Sequence, residues 1–82
     1  ARDAEVASLR EKLRNEQYSE TIKRINLLTA NNFVDDRFYL LLAIAFDRLK
    51  QNDEVIYAAG QAIAVAPQDA RPYVLRGGAY LN

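Results

Sequence analysis

The sequence predicts an all-α fold built from stacked antiparallel helix pairs, and three observations predict it. The segment from Arg37 to Phe46, Arg-Phe-Tyr-Leu-Leu-Leu-Ala-Ile-Ala-Phe, returns thirty-four residues later as Arg-Pro-Tyr-Val-Leu-Arg-Gly-Gly-Ala-Tyr, Arg71 to Tyr80. Arg37/Arg71, Tyr39/Tyr73, Leu41/Leu75 and Ala45/Ala79 are identical pairs, and a fixed offset of this size marks stacked supersecondary units. Apolar residues recur at helical spacing in five segments, and the polar turns of two to five residues between them force neighbouring helices to run antiparallel. No stretch alternates as a strand would.

The first segment, Asp3–Arg14, sets Val6, Leu9 and Leu13 on one face with charges between them. Asn15-Glu16-Gln17 breaks it. The second, Tyr18–Ala30, aligns Tyr18, Ile22, Ile25 and Leu28, and Asn31-Asn32 ends it with a residue type that tolerates left-handed backbone. Asp35 or Asp36 is expected to cap the third helix, which runs to about Lys50 and is apolar nearly all round in its first half, as in a helix buried on more than one side. The fourth, Asp53–Ala66, carries acid in its first turn, Asp53 and Glu54, where the helix dipole favours it. Its interior Gly60 costs about 1 kcal/mol against alanine, a cost expected to be offset by close approach of a neighbouring helix. Pro67 stops it, Asp69 is expected to cap the fifth, and Pro72 falls in that helix's first turn, where a missing N–H does no harm.

Eighty-two residues make one small domain, and with half of them apolar the chain can fold. Eleven basic and eleven acidic residues cancel. Such a chain lacks the net positive charge that dominates nucleic-acid affinity, so no nucleic-acid partner is expected. There is no Cys and no His, which removes disulfides, thiolate metal sites, a cysteine nucleophile and the usual proton shuttle. No metal, no cofactor and no enzymatic activity are expected. The longest uncharged apolar run, Phe38–Phe46, is far shorter than the ~20 residues needed to span a bilayer, so no membrane insertion is expected. The chain opens on Ala1 rather than Met, which suggests a processed form, an excised domain or part of something longer. Cytoplasm and periplasm suit it equally.

With helix pairs of this length in view, the chain resembles the tetratricopeptide repeat (TPR) family. Tyr39, Leu42, Ala43 and Phe46 match the family's large–large–small–aromatic pattern on a first helix. Val55, Ala59, Ala62 and Ile63 match the packing positions of a second, and Pro67 its terminal proline. Tyr73, Gly77, Ala79 and Tyr80 open a further unit, with Ala43 and Gly77 small where two helices cross. The resemblance implies a TPR-like right-handed superhelix of about two and a half repeats in one domain, 1–82. Its units are 2–35, an atypical end repeat in which Arg10 replaces a small residue and Phe33 the proline; 36–69; and 70–82, the first helix of a third.

In this family the first helices of successive repeats line a concave groove that takes an extended peptide or a partner's helix. The matching positions here are Arg37, Leu40, Ile44, Asp47, Arg48, Arg71, Val74 and Gly78. Leu40, Ile44 and Val74 read as an apolar floor rimmed by arginines, or Leu40 and Ile44 read as core in a longer array. Ile44 and Leu75 stand where the subclass gripping a C-terminal carboxylate needs polar groups, so aliphatic or aromatic anchors suit this groove instead. The expected function is a non-enzymatic protein–protein interaction module, an adaptor, assembly factor or chaperone-type scaffold. The alternative is a self-associating scaffold that stacks or dimerises through Leu75, Ala79 and Tyr80 on the terminal helix, left bare where a covering helix is expected.

Three other features read more plainly. Gly77-Gly78 follows no strand and precedes no Lys-Ser/Thr, so it is helix packing rather than a phosphate loop. Asp35-Asp36 and Asp53-Glu54 sit at helix starts and read as caps rather than catalytic pairs. Arg10, Arg14, Lys23 and Arg24 read as a solvated face. Tyr18, Tyr39, Tyr73 and Tyr80 fall on packing positions, whereas Tyr57 falls on the outer face of its helix, within reach of a partner.

Overall fold

The five apolar-periodic segments become five helices in a computed structural model that describes residues 1–82: α1 (Arg2–Arg14), α2 (Tyr18–Ala30), α3 (Phe38–Arg48), α4 (Asn52–Val65) and α5 (Arg71–Leu81). There is no strand. The link from α2 to α3, residues 31–37, is longer than the turns expected, and α3 starts later than a cap at Asp35 or Asp36 would place it and ends at Arg48, short of Lys50. The reason lies in the turn ahead of it. Asp35 does not cap the helix from the N-cap position, which Arg37 occupies; its Oδ1 accepts the Arg37 backbone N–H at 2.9 Å and shapes the preceding turn. Asp69 does the same to the Arg71 N–H at 3.0 Å.

Three helices end alike. Glu16, Asn32 and Lys50 have φ of 60°, 63° and 61°. In each case the next residue's N–H reaches back five positions: Gln17 to Lys12, Phe33 to Leu28 and Gln51 to Phe46, at 2.9–3.0 Å. This is the Schellman arrangement, which satisfies carbonyls that the helix leaves orphaned. Of the three left-handed residues, only Asn32 is of a type that sequence chemistry favours there.

Each helix packs against the next in the chain, α3 also touches α1 and α5, and α2 does not reach α4. The third helix is therefore central. The core falls into two clusters. One joins Val6, Leu9, Ile25, Leu28, Phe38 and Leu41; the other is Ala43, Ala58 and Ala59, where α3 and α4 lie close because their side chains are small. Leu42 packs against both. Thr21, fully buried, is satisfied by donating its hydroxyl to the Gln17 carbonyl at 2.8 Å. Phe33 stacks on Phe38 with ring centroids 6.3 Å apart.

The glycines depart from expectation. A Cβ built at Gly60, Gly77 or Gly78 meets nothing within 4 Å. Gly60 therefore accommodates no close helix, and Gly77 is not the small residue of a crossing, in contrast to Ala43, which is fully buried.

Candidate functional site

On one side of α3, helical spacing places Arg37, Leu40, Leu41 and Ile44 toward a groove of about 370 Å³. Helix α1 supplies Arg10, Leu13 and Arg14, the end of α4 supplies Ala62 and Val65 with Ala66 just beyond it, and the start of α5 supplies Arg71 and Pro72. Leu40 and Ile44 are half-buried here, between core and solvent. Of the residues matched to a concave groove, Arg37, Leu40, Ile44 and Arg71 come together. Asp47, Arg48, Val74 and Gly78 do not line it. Asp47 and Arg48 pair with each other at 2.8 Å. Val74 is 72% exposed.

The cationic rim is held in part by carboxylates. Arg37 closes on Asp35 at 2.7 Å and on Asp3 of α1 at 2.9 Å, and Arg71 on Asp69 at 2.7 Å. The Arg37 guanidinium holds the Asp35 carboxyl down to about 2, against the opposing effect of burial. Arg71 likewise lowers Asp69. Arg14 pairs with Glu11, whereas Arg10 has no ionic partner. Arg10 and Arg14, expected on an ordinary solvated face, stand instead at the mouth of a groove. Their approach to α3 depends on how α1 packs against it, which spacing along one helix does not reveal. Arg24 is not simply solvated either, since it grips Glu5 of α1 through two hydrogen bonds at 2.8 and 3.1 Å.

No family model matches this chain, and no curated protein or solved structure matches it.

The terminal helix exposes a different stripe from the one expected. Ala79 is buried, and Leu75 is half-buried against the alanine cluster of α3 and α4. Only Tyr80 of the expected trio is open, together with Tyr73, Val74 and Leu81. Tyr73 and Tyr80 therefore do not serve as packing residues here; the Arg76 guanidinium lies over the Tyr73 ring at 5.6 Å. Tyr57 stands exposed, as its position on α4 suggested. No group of acids in the chain is arranged to hold a metal ion, and no helix is long and apolar enough to cross a membrane.

Proposed function

We propose that this chain is a non-enzymatic protein–protein interaction module of TPR-like superhelical design, which binds a peptide segment or a partner's helix in the groove between α1, α3 and α5. The observation that carries the reading is the pairing of Leu40 and Ile44, one turn apart and half-buried, at the floor of a groove rimmed by Arg10, Arg14, Arg37 and Arg71. An apolar floor with a few placed polar groups is the usual character of a binding cleft. Its proportions suit side-chain anchors from a linear segment better than a flat protein face. The contact pattern, with α3 against both helices of the preceding pair, supports the superhelical arrangement.

The test is capture of partners by the intact chain and by a Leu40→Asp/Ile44→Asp variant whose helical content is verified by circular dichroism. Groove binding predicts a partner that binds the wild type directly, by calorimetry with purified components, and is lost from the folded variant. Equal capture by both overturns the reading, and unfolding of the variant assigns Leu40 and Ile44 to the core.

A second reading, self-association through α5, is favoured by the exposure of Tyr73, Val74, Tyr80 and Leu81 on that helix. It predicts a concentration-dependent dimer in sedimentation velocity that Val74→Asp/Tyr80→Asp dissolves; a monomer at high micromolar concentration sinks it.

A further inference from the structure

The other side of α3 carries a second depression. Residues two apart on a helix point about 200° apart, so Leu42 and Phe46 face away from the groove under Leu40 and Ile44. They form the floor of a trough walled by α2 and α4, open because those two helices do not meet. Two adjoining hollows of about 890 and 340 Å³ share Asn26, Leu42 and Tyr57. Tyr57 forms one wall and is 69% exposed. A tyrosine left open beside half-buried apolar residues is costly to hydrate and ready to be covered, since aromatic rings supply large contact area with little loss of side-chain entropy.

Charge indicates what covers it. Six of the eleven acids are engaged in ion pairs, namely Asp3, Glu5, Glu11, Asp35, Asp47 and Asp69. Of the remainder, Asp53 and Glu54 line the smaller hollow, and Asp36 lines the larger one, which Arg2 and Arg37 also line. The hollow beside Tyr57, Phe46 and Ala58 contains Asp53 and Glu54 and no lysine or arginine. This end is apolar inside and anionic at its edge, the reverse of the arginine-rimmed groove on the opposite side.

We propose that the α2–α4 trough is a second docking surface, which takes a linear segment bearing an aliphatic or aromatic anchor flanked by lysine or arginine. The anchor seats on Leu42 and Phe46 against the Tyr57 ring, and the cation meets Asp53 and Glu54. The two depressions meet only at Asp36 and Arg37, ahead of α3, and the hollow beside Tyr57 and Phe46 shares no residue with the groove; both are therefore free to be occupied at once, and the chain then bridges two partners.

The test selects a random peptide library on the intact wild-type chain and sorts the recovered peptides by three variants: Tyr57→Asp, Asp53→Lys/Glu54→Lys and Ile44→Asp, the last replaced by Arg10→Glu/Arg14→Glu at the groove's rim if circular dichroism shows it unfolded. The trough predicts a class of peptides enriched in Lys or Arg next to an apolar residue. This class loses at least tenfold in affinity on Tyr57→Asp and on the charge reversal, but binds Ile44→Asp as it binds the wild type. The exposed positions of Tyr57, Asp53 and Glu54 leave these variants folded, which circular dichroism verifies. Peptides sensitive to Tyr57 but without a basic bias overturn the charge assignment. Peptides all lost with Ile44→Asp and indifferent to Tyr57 overturn the trough while leaving the first groove standing. A self-association of the wild type that Tyr57→Asp abolishes replaces the linear segment with a second copy of the chain and likewise overturns the proposal.

Discussion

Arg37 and Asp35 form a closed clasp: the Asp35 carboxylate accepts the Arg37 backbone N–H at 2.9 Å and its guanidinium at 2.9 and 2.7 Å. The same Asp-x-Arg clasp recurs thirty-four residues on at Asp69 and Arg71, with contacts of 2.7 to 3.2 Å. In both places one side chain turns the backbone into a helix and fixes a cation at its mouth. Arg37 does more, since it also reaches Asp3 and so ties α3 to the start of α1.

Acid should loosen this tie. Asp35 has its carboxyl lowered from 3.8 to about 2, chiefly by its hydrogen bond to Arg37. A depressed folded value means that its contribution is fully present above the unfolded value and is lost as pH falls toward about 2. Glu5, held down by its hydrogen bond to Arg24, shifts stability the same way. Thermal melts between pH 5 and pH 2 should show a falling midpoint, and Asp35→Asn should flatten that fall. An identical acid dependence in the variant would remove Asp35 from the account.

The left-handed helix ends predict a gain. Glu16 and Lys50 pay for a positive φ that glycine adopts freely. Glu16→Gly and Lys50→Gly should each stabilise the chain by about 1 kcal/mol, a rise of roughly 4–8 °C in midpoint for a domain of this size. A loss in either variant would mean that the replaced side chain makes a contact worth more than the backbone strain.

Glycine inside helices predicts the opposite exchange. With nothing within 4 Å of a Cβ at Gly60 or Gly77, Gly60→Ala and Gly77→Ala should each add about 1 kcal/mol through helix propensity alone. Urea titration would detect it as a higher midpoint at unchanged slope. Destabilisation by Gly60→Ala would restore the close helix approach that the sequence suggested.

Enlarging the alanine cluster should do harm. Ala59 is fully buried with Ala43 and Ala58 between α3 and α4, so Ala59→Leu should cost about 1–3 kcal/mol by forcing the helices apart. Tolerance without loss of midpoint in the same titration would show that the interface holds space for the larger side chain.

The five helices were legible in the sequence because each carries its own signal. Val6, Leu9 and Leu13 give α1 its period, and Asn31-Asn32 and Pro67 end α2 and α4. What eluded it was relational. Glu16 and Lys50 at left-handed positions carry no composition cue, and Gly60 resembles a packing glycine whether or not a helix lies near. At the candidate site, Leu40 and Ile44 stood out by spacing within one helix, but Arg10 and Leu13 join them only through the packing of α1 on α3. The repeat pattern leaves Ala79 open for want of a covering helix, yet it is buried on an α5 that packs against α3 and α4.

Leu42 has a mechanical meaning. It is a side chain that leans on both core clusters, and its helix is the one shared by the contacts to either end. Because α3 alone touches both α1 and α5, Leu42 should act as the rivet of a leaf spring, through which bending strain applied at α1 reaches α5. Trimming it to alanine should leave both leaves formed while decoupling their motions, so that amide exchange in α1 and α5 no longer slows in step.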